Sequence, residues 1–249
     1  MATKKNNSVM IFLLILLIFL VISMFAFLMN MSRQQIAEPV AAEPVTEQTE
    51  PAEPAIVYDK DDPKLMLVSK EHMVSPDYEP DALVELDESL RATNRDPVSQ
   101  KLEPETAAAF EELAAGAADD GLTIKLTSGY RTYAIQEKLY NHYLDEKGEE
   151  WTKLYSAPPG ASEHHTGLAA DVSCPSISYV LDEVFADTDE GVWLREHAHE
   201  YGFIIRYQEG KEDITGYAYE PWHIRYVGKD AAAEIYNKGI TLEEFLRDI

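Results

Sequence analysis

Cysteine is almost missing from this chain: among 249 residues only Cys174 is present, so no disulfide can form within it. A domain without disulfides rests on its hydrophobic core, which a segment of roughly 190 residues is long enough to build. Cys174 has no surrounding pattern that would make it a nucleophile, so a cysteine hydrolase is the weakest enzymatic reading. If Asp171, three positions earlier, lies on a strand, alternation puts Cys174 on the opposite face. That makes it a small buried hydrophobe. Positive charge is also scarce, with 21 Lys and Arg against 45 Asp and Glu and a formal charge of −24. Such a surface argues against nucleic acid or anionic lipid as a partner.

Long apolar runs are absent too, with one exception. Val9 to Met29 contains Ser23 as its single polar residue and at 1.5 Å per residue spans roughly 30 Å, the thickness of a bilayer core. Lys4 and Lys5 precede it, which predicts residues 1–8 in the cytoplasm and everything after the run outside. A cleaved signal peptide is the alternative. Its apolar region is normally about 7–15 residues long, and the exit Phe25-Ala26-Phe27-Leu28-Met29-Asn30 lacks an Ala-x-Ala site. The sequence therefore predicts an uncleaved single-pass anchor in the cell membrane over residues 9–29. Residues 30–58 follow, with Glu-Pro at 38–39, 43–44, 50–51 and 53–54. Regular Glu and Pro with few large apolar residues cannot build a core, so this is a disordered, self-repelling spacer. Residues 59–249 are then the extracellular domain.

Within that domain, Lys64 to Val68 reads as a short strand and Ser75 to Pro80 as an irregular loop. Glu105 to Asp120 places Ala107, Phe110, Leu113 and Ala114 at helical spacing, with Gly121 as a stop. Leu122 to Leu126 reads as a strand running into Ser128-Gly129-Tyr130-Arg131, after which a helix carries Tyr133, Gln136, Leu139 and Tyr140. Glu190 to Tyr201 reads as a further helix with Trp193, His197 and Tyr201 on one face. Neither His197 nor His199 has an acidic partner pattern, so both are structural or solvated. Phe203 to Ile205 and Tyr217 to Tyr226 read as strands with a turn at Gly210-Lys211. Thr241-Leu242-Glu243-Glu244 is a capping box opening a last helix.

Histidine is scarce as well, seven residues in all, which makes the pair His164-His165 conspicuous. The pair follows Pro158-Pro159-Gly160 and so lies on or beside a loop. The apolar run Leu168 to Val172 comes next and carries Asp171, an acid that is expensive to bury unless paired or bound to a metal. Imidazole and carboxylate are the usual ligands of a catalytic zinc, which takes three protein groups and leaves a fourth position open. Of the remaining histidines, His223 stands in Tyr219-Glu220-Pro221-Trp222-His223, with an acid three residues before it. A ligand with a nearby non-ligand Glu suits metal-assisted hydrolysis. Singly, a surface His is most often a solvated side chain and an Asp at a strand end a cap. The joint pattern points to zinc. Glu220 and His223 would face opposite sides of a flat strand, and Pro221 breaks that regularity. Arg131, delivered at a strand end, is either a surface ion pair or a cation beside the metal.

With these residues in hand, the chain resembles the VanY-type D-alanyl-D-alanine carboxypeptidases, zinc peptidases of the group that also includes lysostaphin-like endopeptidases and the hedgehog signalling domain. The match runs from about Leu65 to Val227. It rests on Ser128-Gly129-Tyr130-Arg131, on Ser162-x-His164-x-x-Gly167-x-Ala169-x-Asp171, and on Glu220-Pro221-Trp222-His223-x-Arg225-Tyr226-Val227-Gly228. The resemblance implies an α+β fold, with a small antiparallel sheet flanked by helices and a zinc cleft. It also implies that His164 rather than His165 is the ligand, with Asp171 and His223, and that Glu220 is the catalytic acid/base. Arg131 matches the substrate and oxyanion arginine, and Ser128, Gln136 and Trp222 match substrate contacts. The implied reaction is zinc-dependent removal of the terminal D-Ala from peptidoglycan stem peptides ending D-Ala-D-Ala. A D,D-dipeptidase or wall endopeptidase shares the metal residues. A non-catalytic zinc-holding wall-binding domain would lack Glu220 and Arg131.

Overall fold

Two short strands, β1 (Val84–Glu85) and β2 (Lys101–Leu102), pair antiparallel beside the first helix. That helix, α1 (Pro104–Asp119), begins where the Glu103 carboxylate accepts from Thr106 N and Pro104 occupies the first turn, a position that needs no N–H. Its buried side includes Ala107, Phe110, Leu113 and Ala114, as the helical spacing predicts, and also Ala109 and Ala117. Burying a side chain such as Phe110 or Leu113 contributes about 1.5–3 kcal/mol. In the computed structural model, which describes residues 24, 56–92 and 97–249, the main sheet has four strands. They are β3 (Lys125–Ser128), β4 (Ala169–Ser173), β5 (Phe203–Tyr207) and β6 (Glu220–Tyr226), in the order β3-β4-β6-β5 with every pair antiparallel. The helices between and after the strands are α2 (Tyr133–Lys147), α3 (Glu149–Tyr155), α4 (Asp189–His197), α5 (Glu212–Thr215), α6 (Lys229–Lys238) and α7 (Leu242–Asp248). This is the α+β architecture expected, formed within the compact unit of residues 55–249.

One core lies between the sheet and the helices α1 and α4, where Leu126, Ala170, Val172 and Ile224 meet Phe110, Leu113 and Leu194. Cys174 is fully buried in it, the packing role expected. A second cluster joins Leu65, Ile204 and Val227 to α6 and α7 through Ile235, Leu242 and Phe245. The final helix opens on the expected capping box, with both halves formed between Thr241 and Glu244. Because Ala170, Val172 and Ile224 face the first core, alternation turns Asp171 and His223 to the other face of the sheet. That face carries the candidate site residues.

Several expectations are corrected. Lys64 to Val68 is not a strand: Pro63–Leu65 forms a short 3₁₀ turn, capped by the Asp62 side chain on Lys64 N, and Leu65 and Val68 are anchors in the core. The strand expected at Leu122 starts at Lys125. Gly121, at φ +79°, and Leu122 bond back to Ala118 O and Ala117 O, so they complete the end of α1 instead. The expected helix from Glu190 to Tyr201 is α4 followed by a 3₁₀ turn over Ala198–Tyr201. The strand expected from Tyr217 starts at Glu220, because Ala218 N bonds to Leu154 O. Among the described residues no helix is long and apolar enough to cross a membrane. The predicted anchor over 9–29, apart from Met24, and nearly all of the spacer lie outside those residues.

Candidate metal centre and active site

Strand register brings the first two functional residues together. Asp171 on β4 is paired directly with His223 on β6, so their side chains leave the same face at the same level. His164 comes from the 3₁₀ turn Glu163–Thr166 just before β4. Gly167, in the left-handed region at φ +73°, ends that turn, a conformation that favours glycine. His164 Nε2 lies 3.2 Å from Asp171 Oδ2, and His223 Nδ1 lies 2.9 Å from Asp171 Oδ1. All three residues are buried, and one donor atom from each fits within a 4.8 Å cluster.

The second nitrogen of each imidazole decides what the first can do. His164 Nδ1 sits 2.7 Å from the carbonyl of Gly129. A carbonyl can only accept, so Nδ1 carries the proton and Nε2 presents a bare lone pair toward Asp171. Gly129 can deliver its carbonyl because it has no side chain: a Cβ there would stand 2.4 Å from Lys101 O and 2.9 Å from Ser99 O. On His223 both ring nitrogens face carboxylates. Its Nδ1 faces Asp171, and its Nε2 lies 3.3 Å from Glu163 Oε2. Two imidazole nitrogens and a carboxylate oxygen, buried and held from behind, form a donor set that fits zinc.

Arg131 reaches the same cluster from the loop after β3. Its Nη2 donates to Asp171 Oδ2 at 2.7 Å, Nε to Ser128 Oγ at 3.0 Å, and Nη1 to Gln136 Oε1 at 2.8 Å. The expected substrate contacts Ser128 and Gln136 thus spend their side-chain oxygens on Arg131 and fix its planar fork. Gln136 is itself anchored, donating to Ala157 O at 2.8 Å. Glu220 and Trp222 line the same cleft, a space of about 410 Å³. The pairing of β5 with β6 is irregular between Ile205 and Tyr207, with Tyr207 opposite Glu220 and Ile205 opposite Ile224. This break, at Pro221-Trp222-His223, is the irregularity that lets Glu220 and His223 share one site.

Burial and charge set the protonation of these groups. Burial pushes Glu220 up to about 8, against the pull of His223 and Arg131. Burial lowers His164 to about 4, with Arg131 adding to the effect and Asp171 opposing it. For Asp171, burial favours the neutral form, but His164, His223 and Arg131 outweigh it and hold the carboxyl well below its usual range. Burial would also lower His223. Its hydrogen bonds to Asp171 and Glu163 prevail and lift it to about 9 in the metal-free site.

Sequence reasoning missed the layer behind the ligands. Glu163 is buried between Arg206 and Arg225. The signal that exposed Asp171, a charge inside an apolar run, was equally present at Arg206 in Phe203-Ile204-Ile205-Arg206-Tyr207. It also missed an aromatic wall on the cleft, where Trp151 stacks on Tyr155 with ring centroids 4.8 Å apart and Tyr143 leans against Trp151. His197 does have an acidic partner, Glu200 at 3.1 Å, on the solvent side. His199 stacks on Tyr236.

His165 has a different role from its neighbour. Its Nδ1 donates to Arg131 O at 2.8 Å and its Nε2 accepts from Gly160 N at 3.1 Å. It pins the Arg131 loop to the Pro158-Pro159-Gly160 turn. His165→Ala should therefore lower unfolding stability by about 1–3 kcal/mol, the cost of a buried polar group left unsatisfied. Zinc should remain at one per chain by elemental analysis, and loss of zinc in folded protein would move His165 into the ligand set.

Comparison with known proteins places the chain in a family. The family model for VanY, D-alanyl-D-alanine carboxypeptidase, matches residues 99–229. A bifunctional D-Ala-D-Ala dipeptidase and D-Ala-D-Ala carboxypeptidase of Enterococcus gallinarum is 38% identical over 185 residues, covering 73% of this chain and 92% of that protein. The structure of an LD-carboxypeptidase, LdcB, superposes with a TM-score of 0.70 at 39% identity, covering 76% of this chain and 89% of that one. A mutant of the vancomycin-resistance D,D-pentapeptidase VanY, solved in complex with Zn(II), superposes with a TM-score of 0.61 at 31% identity, covering 74% of this chain and 99% of that one. The chain belongs to the VanY family of D-alanyl-D-alanine carboxypeptidases, and it is a zinc metallo-carboxypeptidase.

Proposed function

We propose that His164, Asp171 and His223 hold one zinc, and that the cleft above them removes the terminal D-Ala from peptidoglycan stem peptides ending D-Ala-D-Ala. The observation that carries this reading is the buried cluster of three donor groups with Glu220 lining the same cleft. Zinc, when bound, supplies Lewis-acid polarisation and lowers the pKa of water toward neutrality. The chain's own groups do the rest. Glu220 takes the proton of the attacking water and returns it to the leaving amine of D-Ala. Arg131, its fork fixed by Ser128 and Gln136, sets the Asp171 carboxylate and places a cation where the tetrahedral oxyanion forms. Trp222 and the wall of Tyr143, Trp151 and Tyr155 exclude water and bound the peptide. The test is direct: incubate zinc-loaded protein with stem pentapeptide and identify the released product by mass. Free D-Ala supports the reading. Release of the dipeptide D-Ala-D-Ala would favour a D,D-dipeptidase, and cleavage only of cross-linked wall an endopeptidase.

A second reading has its own support in the likeness to an LD-carboxypeptidase. The two substrates differ in the residue that donates the scissile carbonyl, a D residue in the pentapeptide and an L residue in the tetrapeptide. The same assay run on stem tetrapeptide separates them.

The extracellular position belongs to the proposal as well. The apolar run Val9 to Met29, the flanking Lys4 and Lys5 and the Glu-Pro spacer support a domain tethered outside the membrane, where its wall substrate lies. Protease added to intact cells should shave it off.

A further inference from the structure

The four charged residues behind His223 form one connected, fully partnered group. Glu163 Oε1 accepts from Arg206 Nε at 2.7 Å and from Arg225 Nη1 at 2.8 Å. Its other oxygen, Oε2, faces His223 Nε2 at 3.3 Å. Arg225 is fastened from behind by donating Nη2 to Lys64 O at 3.0 Å and Met66 O at 2.8 Å. Arg206 spends its remaining fork on Glu243 at the start of α7, with Nη1 to Oε2 at 3.0 Å and Nη2 to Oε1 at 2.6 Å. Two guanidinium groups and two carboxylates make the group neutral. Lys64, Met66 and Glu243 all lie outside residues 99–229, the part that matches the family model.

We infer that Glu163 is a positioning residue for the metal centre: its clamped Oε2 keeps the His223 proton on Nε2, so that Nδ1 is the atom offered to zinc. The clasp of Arg206 on Glu243 makes the C-terminal helix α7 part of that device. This rests on the reading of His223 as a ligand and goes beyond it by naming what selects the ligating nitrogen. The physical reason is the division of labour between the two oxygens of Glu163. Both guanidinium donors claim Oε1, so Oε2 cannot rotate away from the imidazole. An amide in the same place would keep its oxygen on the arginines and turn its NH₂ toward His223. In the neutral imidazole that zinc requires, Nε2 would then have to accept and the one proton would sit on Nδ1, where Asp171 Oδ1 at 2.9 Å would hold it. Such a variant keeps a satisfied metal-free site and loses the metal-facing lone pair.

The test uses the full chain stripped of metal and titrated with Zn²⁺ in competition with a chromophoric chelator. Glu163→Gln should weaken zinc about 10–100-fold, as loss of an outer hydrogen-bond partner does. Thermal unfolding of the metal-free protein should change far less than the metal-dependent gain in stability. In the zinc-loaded native protein, ¹⁵N NMR should find the His223 proton on Nε2. Glu243→Gln, at a partly exposed position, should weaken zinc in the same direction by a smaller factor, and it decides the matter if Glu163→Gln does not fold. Folded Glu163→Gln or Glu243→Gln protein that binds zinc as tightly as the native chain, or a native His223 protonated on Nδ1, would overturn the inference. Failure of the native chain to bind zinc would instead overturn the ligand assignment on which it rests.

Discussion

Glu220→Gln should lower turnover by about 10²–10⁴, the usual contribution of a general acid/base, while the protein keeps one zinc per chain. Glutamine preserves the shape and removes the basic oxygen and the ability to return a proton. In the proposed site His164, Asp171 and His223 take three positions, and a fourth protein ligand would displace the water that reacts. If Glu220→Gln loses zinc, and its residual activity follows metal content, Glu220 is a ligand and the assignment is wrong. The pH profile gives an independent check. Burial raises Glu220 from 4.5 to about 8 in the metal-free site, and a nearby divalent cation favours the carboxylate and pulls the value back. Below that midpoint the residue is protonated and cannot act as a base, so kcat/KM should fall as pH falls. The acid limb should lie between those two values. A flat profile across that range would contradict the role.

His164→Ala should have the larger effect on the metal. It removes a donor whose Nε2 lone pair is fixed by the hydrogen bond from Nδ1 to Gly129 O. Zinc affinity should fall by more than the ~10–100-fold that loss of an outer partner costs, and activity at trace zinc should disappear with it. Asp171→Asn should act in the same direction for an added reason, because it also uncouples Arg131 from the cluster. A chelator competition on the two variants checks both. Retention of native affinity by His164→Ala would point to a different ligand set.

The candidate site was legible in the sequence because its members break local rules. Asp171 is an acid within an apolar strand, and Glu220 and His223 flank a proline inside another. Arg131 is a charged residue just past a strand end, two positions after Gly129. Each is a residue type that packing alone would not choose, and the fold brings them together by strand register and a short turn. Elements with strong local signals were equally readable, such as α1 with its buried apolar positions at helical spacing and α7 with its capping box. Boundaries set by hydrogen bonds between distant segments were not. Residues 217–219 leave the sheet because Ala218 bonds to Leu154, and Pro63–Leu65 turns because Asp62 caps it. The support behind the metal site was hidden for a related reason: Glu163, Arg206, Arg225 and Glu243 each look like ordinary charges until the fold puts them in contact. Arg206 and Arg225 gave a sign, each as a cation among apolar residues of a strand.

The central claim is tested most directly by titrating zinc into metal-free protein while following release of D-Ala from stem pentapeptide. The structure predicts no release without metal, a linear rise with added zinc, and a plateau at one zinc per chain. Full activity in demonstrably metal-free protein, or a plateau at two zinc ions per chain, would contradict it.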